Sequence, residues 1–129
     1  MATAKIRKAL VAMLILGIST AVSADINRHQ FTRGITDREP VDRLTTASNI
    51  TPLYYFTELV DMTGSQVTHR WRYKGQIMAS IQFQIEGPRW RVYSSKELLP
   101  GWSGLWSVEV LDQNGRVIIR DNISVLIDR

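Results

Sequence analysis

Between residues 66 and 127 apolar side chains recur at every second position in short runs, each closed by Gly, Pro, Asn or Asp. A period of two sends alternate side chains to opposite faces of an extended strand, so the pattern predicts half-buried β-strands rather than helices. The clearest run is 77–85, with Ile77, Ala79, Ile81, Phe83 and Ile85 on one parity and Met78, Ser80, Gln82 and Gln84 on the other. In 66–73, Val67, His69, Trp71 and Tyr73 share a face, and Thr68, Arg70 and Arg72 share the opposite one. Keeping both apolar sets on one side of a hairpin requires an odd number of loop residues, which predicts the three-residue loop Lys74-Gly75-Gln76. Further strands are expected at 28–36, at 53–60, where Tyr54, Tyr55 and Phe56 suit burial on both faces, and at 89–95, 105–111, 116–120 and 123–127. Asp112-Gln113-Asn114-Gly115 reads as a hairpin turn of the Asn-Gly type, and Asp121-Asn122 as a bend or bulge.

Seven to eight short strands and no long helix imply an all-β fold, an immunoglobulin-like antiparallel β-sandwich. Its expected core is Trp71, Ile81, Phe83, Trp90, Val92, Trp106 and Val108, all on the inward parity of their strands.

Residues 1–24 break the pattern. Lys5, Arg7 and Lys8 precede an apolar run at 9–18, and a small-residue tail ends in Val22-Ser23-Ala24. This is the layout of a signal helix cleaved after Ala24, so the protein is expected in the periplasm or secreted. The apolar run is short of the roughly 20 residues a spanning helix needs, and membrane attachment is expected only if the segment is kept. The remaining 105 residues, 25–129, suit a single sandwich domain.

Removing the leader also changes the charge. Sixteen Lys and Arg against twelve Asp and Glu become thirteen against twelve, because the leader holds three bases and no acid. A nearly neutral exported chain lacks the basic footprint of a nucleic-acid binder. The sequence has no Cys, which removes disulfides, thiol catalysis and cysteine metal sites together. His29 and His69 stand forty residues apart with no ligand spacing, so neither a metal nor a cofactor is expected.

The candidate chemistry lies in arginines interleaved with aromatics, Arg70-Trp71-Arg72-Tyr73 and Arg89-Trp90-Arg91. On strands the guanidinium groups oppose the Trp side chains, and a planar fork grips carboxylate, phosphate or sulfate through parallel hydrogen bonds. If the strands from 66 to 95 are neighbours, Arg70, Arg72 and Arg91 project from one sheet face beside Ser80, Gln82 and Gln84. The plainer reading of these arginines is ion pairing on a solvated face. Trp102 follows Pro100-Gly101 outside any alternation, either as a contact tip with Lys96 or as a lid folded over the core edge. The expected binding residues are therefore Arg70, Arg72, Arg91, Lys96 and Trp102. His69 reads as a hydrogen-bonded core histidine. The acids Asp37, Glu39 and Asp42 read as loop hydrogen bonding and as partners for a sheet arginine.

By Arg38-Glu39-Pro40-Val41-Asp42, His69-Arg70-Trp71, Gly87-Pro88-Arg89-Trp90-Arg91, Ser94-Ser95-Lys96 and Leu99-Pro100-Gly101-Trp102-Ser103-Gly104-Leu105-Trp106, the chain resembles an uncharacterised bacterial family. The family is one of exported or membrane-associated proteins with a small C-terminal domain of unknown function, and the resemblance runs from about residue 30 to 127. It implies the envelope as location and names no activity. The pattern Gly104-x-Trp106-x-Val108 through Gly115 to Val117 is similar to the last hairpin of bacterial immunoglobulin-like modules, which bears on fold alone. The expectation is a non-catalytic envelope module that contacts a protein or an anionic glycan through the Arg-rich sheet face or the 96–102 loop. Two other readings stay open: an envelope hydrolase using acids of the 37–42 loop, and a structural spacer.

Overall fold

The computed structural model describes residues 25–128, and the expected leader at 1–24 lies outside them. These residues form ten strands: β1 (Asp25–Thr32), β2 (Ile35–Thr36), β3 (Glu39–Pro40), β4 (Thr46–Ser48), β5 (Leu53–Val60), β6 (Gln66–Tyr73), β7 (Gln76–Gln84), β8 (Arg89–Lys96), β9 (Gly104–Leu111) and β10 (Val117–Leu126). One sheet has the order β1-β5-β8, a second the order β4-β10-β9-β6-β7, and β2 and β3 form a small hairpin. Every pairing is antiparallel except that of β4 with β10. The chain stays in one sheet at the β6-β7 and β9-β10 hairpins and changes sheet between β5 and β6, β7 and β8, and β8 and β9. That path over two facing sheets is an immunoglobulin-like sandwich.

The alternation sorts the core as expected, with a gradient set by strand position. Trp71, Trp106 and Val108 on the central strands of the larger sheet are fully buried, and Val92 nearly so. Ile81, Phe83 and Trp90 pack against the core but are only half-buried, because β7 and β8 are edge strands with no neighbour to cover them. β5 is central in its sheet and is buried on both faces, with Leu53, Tyr55 and Leu59 inward and Phe56 and Glu58 outward. Arg28 lies 5.0 Å over the Phe56 ring and roofs the outer face.

Three local details differ from the expectation. In the β6-β7 hairpin Tyr73 pairs with Gln76, so the turn holds two residues, Lys74 and Gly75, with φ of 50° and 78°. Positive φ at both central positions is what a twisted hairpin needs. An even loop would invert the parity of β7, and a bulge at Met78 restores it: Trp71 pairs with Ala79, His69 with Ile81 and Val67 with Phe83. The extra residue sits in the strand instead of the loop, and Ile77, beyond the bulge, is turned out and 54% exposed.

The first strand ends at Thr32 rather than 36. Asp42 accepts hydrogen bonds from Thr32 Oγ1 (2.7 Å), the Arg33 amide (2.9 Å) and Arg33 Nε (2.6 Å), which turns the chain away from the sheet. The acidic 37–42 segment becomes the β2-β3 hairpin, tipped by Asp37 and Arg38 at φ 54° and 66°. In the β9-β10 turn only Gly115 has positive φ (85°), with its amide donating to the Asp112 carbonyl at 3.0 Å. The bulge in β10 falls between Val117 and Ile119, and pairing runs unbroken through Asp121 and Asn122.

One polar string crosses the apolar interior. Trp71 Nε1 donates to Ser94 Oγ (3.0 Å), Ser94 Oγ lies 2.8 Å from His69 Nδ1, and His69 Nε2 lies 3.0 Å from Thr57 Oγ1. The indole donates to Ser94 Oγ, and the Ser94 and Thr57 hydroxyls, each able to donate or accept, satisfy the two ring nitrogens of a neutral imidazole. The string joins β6 to β8 and β5, and so ties one sheet to the other. Tyr55 and Phe83 meet the imidazole edge-on at 5.0 and 4.9 Å. Burial among these rings pushes the His69 imidazole down to about 3, keeping it neutral.

Truncating Trp71 to Ala should cost about 3–5 kcal/mol in chemical denaturation, whereas Ile77→Ser should stay within about 0.5 kcal/mol. A large loss at Ile77 would contradict the bulged register. The pH dependence has a definite sign. His69 binds a proton at its ordinary 6.5 when unfolded but only near 3 when folded, so its contribution is complete above 6.5 and drains away as pH falls toward 3. His69→Gln should therefore flatten the stability slope between pH 6.5 and 4.5, read from denaturant midpoints across pH, and leave the carboxylate-driven loss below 4.5 in place.

Candidate functional site

Each sheet carries a buried carboxylate on the outer face of a central strand. In the smaller sheet, Glu58 of β5 is 1% exposed and accepts from Arg28 Nε (2.9 Å) and Asn27 Nδ2 (2.9 Å), with Arg89 Nε against its other oxygen. The Arg28 hydrogen bond above all draws its carboxyl down to about 2. In the larger sheet, Glu109 of β9 is 2% exposed and accepts from Arg70 (2.8 Å) and Arg120, with Arg72 3.9 Å away. Burial works to raise the Glu109 carboxyl, but the bonds from Arg120 and Arg70 outweigh it and hold the group below its usual range. A carboxylate is buried on a sheet exterior because long arginine stems cover it while their heads pair with it.

The expected single arginine face is corrected by the topology. Arg70 and Arg72 leave the outer face of the larger sheet, and Arg70 pairs across to Ser80 as anticipated. β8 belongs to the other sheet, so Arg91 projects from the opposite side of the molecule, where it donates to Glu39 Oε2 at 2.5 Å. Glu39 also accepts two bonds from Arg28, and these, then Arg91, bring it to about 2. Glu39 and Asp42 are thus ion-pair partners of arginines, held ionised below the usual carboxylate range, which fits the expectation of loop hydrogen bonding and a partner for a sheet arginine.

Lys96 and Trp102 are brought together at one end of the sandwich. Trp102 folds back as a lid: its ring lies 6.5 Å from Tyr73 and 5.8 Å from Trp106, and its carbonyl accepts the Trp106 indole N–H at 2.8 Å. Tyr73 and Trp106 stack at 4.5 Å, and the Tyr73 hydroxyl donates to the Ser103 carbonyl at 2.7 Å. Lys96 Nζ sits 5.1 Å over the Trp102 ring and Lys74 Nζ 5.3 Å over Tyr73, so two ammonium groups flank an aromatic lid. Beside this end a shallow cleft of about 300 Å³ is lined by Arg72, Tyr73, Lys74, Gly75, Leu105 and Ser107. Leu105 is 62% exposed. Arg72 therefore lines the cleft, Lys96 and Trp102 meet at the lid behind Tyr73, Arg70 is committed to Glu109 and Arg91 lies on the far face.

Three clusters escaped sequence reasoning, those around Glu58 and Glu109 and one more. Glu109 carried a signal, an acid between two valines in mid-strand. The third cluster joins His29 and Asp121, 92 positions apart: His29 Nδ1 lies 2.6 Å from Asp121 Oδ2, which also accepts from the Tyr55 hydroxyl at 2.7 Å. Burial, then Asp121, raises the Tyr55 phenol. A second cleft of about 140 Å³ lies here, lined in part by Arg43, Thr45 and Asn122. Among the described residues no group of three or more metal-ligating side chains converges.

A family model described as a protein of unknown function (DUF2914) matches residues 64–125. That stretch holds Arg70, Arg72, Arg91, Lys96, Trp102 and Glu109, and leaves out β1 to β5. Among solved structures the chain is similar to an immunoglobulin-like protein from Pseudomonas aeruginosa, with 9% identity over 81% of this chain and 97% of that one, at a TM-score of 0.47. No curated protein matches. The fold assignment rests on the strand topology itself.

Replacing Glu109 by Ala should cost about 1–3 kcal/mol, because Arg70 and Arg120 lose the acceptor that holds them on the sheet. Arg72→Gln, whose contact with Glu109 is long and half-exposed, should cost under about 1 kcal/mol. Thermal and denaturant unfolding of the two variants check the contrast.

Proposed function

We propose that the protein is a non-catalytic binding module, exported to the bacterial cell envelope, that takes an acidic protein segment at the Arg72, Leu105 and Lys96 end of the sandwich. The observation that carries this reading is the composition of that end. An arginine only loosely held by Glu109, a lysine over a phenol ring and a leucine left in water line one shallow cleft, and the Trp102 lid with Lys96 over it lies behind the same Tyr73. Arginine and aromatic groups around exposed apolar area are the make-up of protein-binding hot spots, in which a desolvated guanidinium contributes far more than it does in water. The charge supports an anionic partner: Arg70, Arg72 and Arg120 surround the single carboxylate of Glu109 on this face. Export rests on the leader-like pattern of residues 1–24.

The test uses two probes, an acidic poly-glutamate peptide and heparin, with binding followed by interferometry at low and physiological salt. The acidic peptide is expected to bind with an affinity that falls as salt rises. Arg72→Gln combined with Lys96→Gln should weaken it at least tenfold without lowering the melting temperature by more than a few degrees. Arg91→Gln, on the opposite face, should leave binding unchanged. Tighter binding of heparin than of the peptide would favour an anionic glycan, and no binding of either would return the chain to the spacer reading.

A further inference from the structure

Among the described residues the two sheets end in four edge strands, β1, β8, β4 and β7, and three of these edges are protected. β4 has only three residues, and the stretch of β10 it leaves unpaired, 117–123, carries Arg120, Asp121 and a bulge; β8 carries Arg89, Arg91 and Lys96, and β1 is interrupted by a bulge at Asn27 and carries Arg28. The fourth edge, β7, is nine residues long and contains neither a charge nor a proline. Its side chains alternate between half-buried Ala79, Ile81 and Phe83 and exposed Ser80, Gln82 and Gln84. An edge strand that is long, uncharged and β-prone offers a row of unpaired amides and carbonyls, the situation that charge, proline or shortness normally prevents.

We propose that β7 pairs antiparallel with β7 of a second copy of this chain, joining two five-stranded sheets into one continuous sheet across a two-fold axis. This inference stands apart from the proposed binding function. Antiparallel pairing places residues of like parity opposite one another, so apolar meets apolar on the inner face and Ser or Gln meets Ser or Gln on the outer face. The strand presents no charge to repel its own copy. Its flanks add attraction, since Lys74 precedes the strand and Glu86 follows it, both exposed, and the two-fold brings the cationic end of each strand to the acidic end of the other. The arginines of β6 do not oppose this. Across the joint they stand three strand spacings apart, about 14 Å, beyond the screening length of about 8 Å in physiological salt. The regular stretch after the Met78 bulge, 79–84, supplies the pairing, and the two-fold passes through Ser80, Ile81 or Gln82. The interface closes on itself, so the assembly stops at two copies.

The experiment follows the mass of the protein, expressed from its full sequence, by sedimentation velocity and light scattering from micromolar to millimolar concentration. A shift from one to two copies with rising concentration is expected. The variant Ser80→Lys with Gln82→Lys sets like charges opposite each other in all three registers and should remain a monomer throughout. Ser80→Glu with Gln82→Glu should do the same. An equimolar mixture of the lysine and glutamate variants should recover the dimer, which a fold defect could not do, and the melting temperature of each variant alone records its folding. A wild type that stays monomeric, a dimer that survives both double variants, failure of the mixture to pair, or a ladder of larger species would each overturn the proposal.

Discussion

A carboxylate on the outside of a β-sheet can be taken out of water only if cations cover it, and this condition organises both faces of the sandwich. Glu58 and Glu109 lie on central strands of their sheets, and each is roofed by arginines from neighbouring strands. The cover works in two ways. Guanidinium groups meet the charge, and their stems shield what lies beneath, as Arg28 does for both Glu58 and Phe56. Leaving such a carboxylate without its partners would cost several kcal/mol, so the arginines around it belong first to the architecture.

That constraint separates cations that maintain the fold from cations available for contact. Arg70 and Arg28 are fixed by close bonds to buried acids. Arg72 reaches Glu109 only at 3.9 Å, and the lysines at the Tyr73 and Trp102 lid meet aromatic rings instead of carboxylates. A ring face attracts a cation without neutralising it, so these ammonium groups keep their charge for a partner. Arg72, whose close bond is to the Gly75 carbonyl at 3.1 Å, and Lys74 line the cleft where Leu105 is uncovered, and this coincidence favours one end of the molecule over either whole face.

The interior obeys a related rule. His69 lies on the apolar parity of β6 and is accepted there because Ser94 and Thr57 from the opposite sheet satisfy both ring nitrogens. The hydrogen bonds specify how the sheets face each other, since sliding one sheet by a residue would strand the imidazole and the Trp71 indole together. Stability in mild acid is the cost of that specificity, because the neutral ring resists protonation.

The seven long strands, most of their inward parity and the fold class were legible in the chain, because side-chain alternation follows directly from the pleat, whereas the short β2, β3 and β4 and the outward turn of Ile77 were not. Period two in 66–73 and 77–85 foretold which of Trp71, His69, Ile81 and Phe83 face inward, and the aromatic run at 53–60 foretold a strand buried on both sides. Parity also required an extra residue in the β6-β7 hairpin, but its position at Met78 was settled by the twist of the two-residue turn. The candidate site was legible only in part. Arg72, Lys96 and Trp102 were visible as residues; that Lys96 meets Trp102 while Arg72 lines the cleft with Lys74 depends on how the 97–103 loop folds back as a lid and on the two-residue turn. Arg91 was misplaced because strand adjacency in sequence does not say which sheet a strand joins. The pairing of Glu109 with Arg70, 39 positions away, and of His29 with Asp121, 92 away, likewise arises from chain reversals between sheets. Local alternation fixes the face of a strand, whereas its neighbours, its edges and its ion pairs are long-range properties that exist only once the two sheets have packed.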